Sequence, residues 1–129
     1  MTAMMPMTTA IYAAILGLLG AALTVNVIVN RARAKVTAGD GGVASLAQAI
    51  RSHGNFIEQA PLALILIAFA EIAGARPLIV NVLGAGLIVG RLASAYTLNR
   101  TLALTLLRQV GATVTILVTI GASVAILLA

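Results

Sequence analysis

The sequence predicts an all-α integral membrane protein, folded as an up-down-up-down bundle of four helices. Three observations carry that prediction. Of the 129 residues, 61% are hydrophobic and only 9% are charged, with a mean hydropathy of +1.12. Soluble domains carry about 25% charged residues. The apolar residues fall into four runs, each long enough for the about 20 residues that a helical membrane span requires. The connectors between runs are short, so successive helices are antiparallel neighbours within one domain covering residues 1–129.

The first helix is expected over about 8–32. Asn26 is the strongly polar residue of its apolar run, which closes at Asn30-Arg31-Ala32-Arg33-Ala34-Lys35. The following Thr37-Ala38-Gly39-Asp40-Gly41-Gly42 reads as a turn, because glycine reaches positive φ freely and Asp40 can accept a bond from its own backbone. The second helix is expected over about 43–73, with Gly74 as its stop. Pro61 removes the amide that would bond to Ile57, so a kink or loosened turn is expected inside that helix. The third helix, about 77–98, opens on Pro77 and carries Gly84, Gly86 and Gly90, small residues that let helices approach closely. Asn99-Arg100 reads as a very short connector to a fourth helix over about 101–128.

Charge sets orientation. Arg31, Arg33 and Lys35 lie in the first connector and Arg100 in the third, whereas the second has Arg76 alone. Basic loops stay in the cytoplasm, so connectors one and three are expected inside and both chain ends outside. Glu71 and Arg76 then mark the outer interface. No basic residue precedes the first apolar run, so no cleavable signal is expected. The net charge of +5 does not point to nucleic acid, because the basic residues are scattered over loops and helix ends without aromatic interleaving. Cysteine is absent, which excludes disulfides, thiolate metal sites and a cysteine nucleophile. No metal is expected.

The densest chemistry lies in Arg51-Ser52-His53-Gly54-Asn55-Phe56-Ile57-Glu58. Steps of three and four place Gln48, Arg51, Asn55 and Glu58 on one helical stripe about 15 Å long. Arg91 lies eight residues before Asn99 and Arg108 seven after Thr101. Three helices are therefore expected to bring an arginine to a similar depth. Ionisable groups inside a membrane bundle are costly and mark function by default. Three arginines against Glu58 leave excess positive charge, which an anionic guest would neutralise. Guanidinium forks suit carboxylates, Glu58 could accept from an ammonium, and Asn55 offers both donor and acceptor. A small zwitterion with more than one carboxylate fits that set. Cationic groups would also favour the thiolate of a thiol, which the ligand would have to bring.

Arg51-x-His53-x-Asn55-x-x-Glu58-x-x-Pro61, with Gly39-Asp40-Gly41-Gly42 before it and Glu71-x-x-Gly74 and Gly90-Arg91-Leu92 after it, resembles the MAPEG family. These are membrane-associated proteins in eicosanoid and glutathione metabolism, and the resemblance is to the bacterial members. It implies a homotrimer of four-helix subunits in the bacterial inner membrane. Glutathione would bind as thiol co-substrate between subunits near the cytoplasmic face, with a lipophilic small molecule as second substrate. Arg51, Asn55 and Glu58 would hold the glutathione backbone, with His53 nearby. Arg31 would reach a neighbour's site, and Arg91 matches the arginine of helix three. Arg108 falls where the family places the arginine credited with stabilising the thiolate, and Tyr96 lies near the tyrosines that eukaryotic members use. Two positions depart from the bacterial pattern: Gln59 stands where tyrosine is common, and Ser94 where histidine is common. The implied activity is that of a glutathione transferase or peroxidase. A non-catalytic membrane interaction protein and a small channel or transporter stay open as alternatives.

Overall fold

The structure, a computed structural model, describes residues 5–129. It contains four helices: α1 (Met7–Ala34), α2 (Ala44–Ile72), α3 (Pro77–Leu98) and α4 (Leu106–Leu127). No strand occurs among the described residues. All four helices are long and apolar enough to cross a membrane. The all-helical membrane bundle read from the sequence is therefore the fold observed.

Both ends of α1 have a local chemical cause. At the start of α1 the Glu71 carboxylate, from the last turn of α2, accepts from Thr8 N (2.9 Å), Thr9 N (2.7 Å) and the Thr9 hydroxyl (2.6 Å). A carboxylate there satisfies amides that have no partner within the helix and faces the positive end of its dipole. Glu71 is thus a cap supplied by a neighbouring helix. At the other end, Lys35 turns into the left-handed region (φ 55°) and its amide bonds to Arg31 O, which stops α1. Gly39, Gly41 and Gly42 hold positive φ in the connector, and Asp40 accepts from Gly42 N. Helix α2 is continuous through Pro61, whose ring faces outward.

Helices α2 and α3 form the middle of the bundle, flanked by α1 on one side and α4 on the other; α1 and α4 do not touch. The core is made by Leu16, Ala63, Ile67, Val80, Leu83, Leu87, Val118 and Ala122. Outward faces are as apolar as the core: Leu18, Leu62, Phe69, Val82, Val89 and Leu117 are all exposed. That inversion is expected where the surrounding solvent is lipid. Gly90 and Gly111 bring α3 and α4 into close contact, since a Cβ on Gly111 would meet Gly90 O at 2.9 Å.

One expected boundary is corrected. The fourth helix starts at Leu106, not near residue 101, and residues 99–105 form a longer connector. The Thr101 hydroxyl accepts from Ala103 N, and Thr105, in extended conformation, caps α4 by accepting from Arg108 N (3.2 Å). Threonine hydroxyls here offer the backbone an alternative to helical bonding.

Candidate functional site

The most polar point inside the bundle is Arg91. Its side chain is buried, with the residue 1% exposed, about 10 Å from the end of α3 at 1.5 Å per residue. Nε donates to Thr115 Oγ1 (3.1 Å), Nη1 to Asn55 Oδ1 (2.8 Å), and Nη2 to Thr115 Oγ1 (2.7 Å) and Ser94 Oγ (3.2 Å). Weaker contacts reach the carbonyls of Asn55 and Gly111. The Gly90–Gly111 approach brings α4 near enough for Thr115 to serve Arg91, while α2 contributes Asn55. Arg91 thus ties three helices together through neutral acceptors alone.

Arg51 and Glu58 behave differently. They lie two turns apart on α2 and form a bidentate ion pair, Nη1 to Oε1 at 3.2 Å and Nη2 to Oε2 at 3.3 Å, with side chains 44% and 55% exposed. The pair borders an open cleft of about 500 Å³ that Gly39, Asp40, Ile50 and Leu102 also line. Asn55, expected on the same stripe, turns inward to Arg91 instead. At 100° per residue, Glu58 falls about 20° short of Arg51's direction and Asn55 about 40° beyond it, so Asn55 is the member of the stripe turned furthest toward α3. Gln48, the fourth member of the stripe, donates to Arg100 O.

Arg108 sits in the first turn of α4, so it stands nearer the mouth of the bundle than the depth expected for it. Nη1 donates to Leu102 O (2.8 Å), holding the connector in place. With Asn55, Ser94, Leu104, Gln109 and Thr113 it lines a second cleft of about 360 Å³. The structure therefore brings Asn55, Arg91 and Arg108 into one neighbourhood and the Arg51–Glu58 pair into an adjoining one. The connector between α3 and α4 contributes to both.

The remaining sequence-derived residues lie elsewhere. His53 Nε2 is 3.1 Å from Thr24 Oγ1, on the side of α2 that faces α1. Arg31 Nη1 donates to Gly39 O (2.8 Å), fastening the first connector to the end of α1. Tyr96 is exposed and carries the Arg100 guanidinium 4.5 Å above its ring centre. Within one chain these three do not reach the two clefts. Thr115 and Gly111 were not expected as polar partners, and neither were Asn26, Ser52 and Asn99. Asn26 Nδ2 donates to Asn99 Oδ1 and Asn99 Nδ2 to Ser52 Oγ, linking α1, α3 and α2 near the same end of the bundle. The isolated Asn26 in an apolar run was the available signal for that link.

The model of the MAPEG family matches residues 9–128, nearly the whole described chain. The chain belongs to the MAPEG family. Two curated relatives from Escherichia coli, each named inner membrane protein YecN, one from strain K12 and one from strain O6:H1, are similar to it. Each is 39% identical over 90 residues, covering 70% of this chain and 69% of the relative. No solved structure matches. In this MAPEG protein the Arg51-x-x-x-Asn55-x-x-Glu58 stretch of α2 has its Arg and Glu ends open to a cleft and its Asn bonded to Arg91 of α3.

Proposed function

We propose that this protein binds glutathione and works as a membrane glutathione transferase or peroxidase on lipophilic electrophiles or hydroperoxides. In this reading it is a homotrimer in the bacterial inner membrane, with connectors one and three in the cytoplasm. The observation that carries the reading is the half-exposed Arg51–Glu58 pair at the edge of an open cleft. Exposed ion pairs contribute about 0–1 kcal/mol, so opening this one costs little. The glutamyl end of glutathione is a zwitterion of matching polarity: its carboxylate would take the Arg51 fork and its ammonium the Glu58 carboxylate. Membership of a family whose members include glutathione transferases supports the same choice.

Bound glutathione would supply a thiol whose sulfur, once deprotonated, adds to an electrophilic carbon to give a thioether, or attacks a hydroperoxide. In the second case the O–O bond breaks, an alcohol leaves and a second glutathione converts the sulfenic acid to the disulfide and water. The chain's part is electrostatic. Arg108, placed at the second cleft with one guanidinium N–H committed to Leu102 O, holds positive potential where the sulfur would lie. Beside Glu58, a groove lined by Leu62, Ile116 and Ile120, with Gln59 and Thr119 as its polar members, offers a largely apolar surface to a lipophilic partner. The test is to titrate the purified protein with glutathione, then assay conjugation of a generic electrophile and reduction of a lipid hydroperoxide. Saturable binding with turnover supports the reading. Binding without turnover would leave a non-catalytic family member, and ion flux in liposomes without binding would favour transport.

A further inference from the structure

The sequence contains three carboxylate side chains, and each is occupied away from Arg91. Asp40 accepts from Gly42 N, Glu58 holds Arg51, and Glu71 caps α1. Arg91 is buried against neutral acceptors only. A guanidinium does not shed its proton to escape burial, so a full positive charge stands uncompensated within the bundle. In such surroundings its field is damped far less than in water.

Two of its partners, Asn55 and Ser94, also wall the cleft that Arg108 lines. Arginine only donates, so Asn55 must turn its oxygen to Arg91, as it does. Its Nδ2 group therefore points away from Arg91 and has no partner among the described residues. The cleft receives positive potential from Arg91 behind its wall, from the Asn55 amide, from Arg108 and from the first turn of α4. The charged groups of the surrounding elements are few. From α2 come Arg51 and Glu58, paired with each other, while its His53 faces Thr24 of α1 and its Glu71 caps α1 at the far end; from α3, Arg91; from α4, Arg108; and from the connector, Arg100 over Tyr96.

On the reading above, the reacting anion of the ligand lies in this cleft, and we propose that Arg91 is the positioning residue that prepares it, acting through Asn55 without touching the ligand. With glutathione as occupant, on which the identity of the anion rests, the anion is the thiolate: the S–H bond breaks, the proton leaves to solvent, and the sulfur keeps the electron pair. Arg91 then supplies two separable things. Its charge lowers the thiol pKa, and its fork fixes the Asn55 amide that grips the ligand.

The experiment uses the full chain in phosphatidylcholine nanodiscs, with glutathione and S-methylglutathione as probes and thiolate absorbance followed against pH. Arg91→Gln is expected to raise the pKa of the bound thiol by about one unit or more. It should weaken glutathione more than S-methylglutathione. Arg91→Lys keeps the charge and loses the fork, so it should leave the thiol pKa near wild type while weakening both probes alike. Should Arg91→Gln not fold, Asn55→Asp gives Arg91 a counter-charge without loss of shape, and is expected to raise the thiol pKa in the same way. If glutathione binds yet these variants leave its thiol pKa and the ratio of the two affinities unchanged, the inference fails and the glutathione reading survives. If glutathione does not bind, thiocyanate serves as the probe. Its binding, lost in Arg108→Gln and Asn55→Asp, would keep the anion seat and remove glutathione, whereas absence of both would overturn the seat as well.

Discussion

At the scale of single residues, the chain separates its charged groups by how they are satisfied. Arg91 is fully bonded and sealed, Arg51 and Glu58 are paired but open, and Glu71 spends its carboxylate on the start of α1. The last makes a testable claim about stability. Glu71→Ala strips three hydrogen bonds from Thr8 and Thr9. It should lower stability by about 1–2 kcal/mol, the cost of leaving part-buried donors unmet. Thermal unfolding in detergent reads this, and an unchanged midpoint would show that the amides find other partners. The spacing of Arg51, Asn55 and Glu58 was legible in the sequence, but their division between two clefts was not. That division depends on offsets of about 20° and 40° around the helix and on where α3 packs. The partners of Arg91 were out of reach for a different reason: Asn55 and Thr115 lie 36 and 24 residues away, and no periodicity encodes such pairings.

At the scale of elements, the α3–α4 contact decides whether the site exists. A Cβ at Gly111 would meet Ser94 Oγ at 2.7 Å and Gly90 O at 2.9 Å, whereas a Cβ at Gly17 meets nothing within 4 Å. Gly111→Ala is therefore expected to cost about 1–3 kcal/mol by forcing the helices apart. Because Thr115 and Gly111 O move with α4, the variant should also weaken ligand binding. Gly17→Ala should do neither. Equal melting temperatures for the two variants would contradict the packing described. The late start of α4 belongs to this scale too. Leu102-Ala103-Leu104 is apolar enough to read as helix, and only the threonine hydroxyls on either side reveal the connector. Helices α1 to α3 were readable because their ends carry stronger signals: the Arg31–Lys35 run, Gly74 and Pro77.

At the scale of the whole molecule, the fold was the most legible feature, since a bilayer imposes span length directly on composition. The helices α1 and α2, at 28 and 29 residues, exceed α3 and α4, at 22 each, by about 10 Å. Arg31 and Arg33 at the end of α1, and Gln48 and Arg51 near the start of α2, lie at one end of the bundle with Arg100 and Arg108. If that end is cytoplasmic, as the basic loops predict, the proposed site opens to the compartment where a soluble thiol would approach. The chain has no native cysteine, so single-cysteine labelling tests this cleanly. Thr37→Cys should resist an impermeant maleimide added outside intact cells and react after permeabilisation, whereas Ala75→Cys should react at once. The reverse pattern would invert the orientation.

The central claim is that the open Arg51–Glu58 pair receives the zwitterionic end of glutathione. Calorimetric titration of glutathione into the wild-type chain and into Arg51→Ala, each in nanodiscs and checked for oligomeric state, tests it most directly. Saturable wild-type binding that is lost in Arg51→Ala, with the assembly unchanged, is the expected result. Equal binding by both, or none by the wild type, would contradict it.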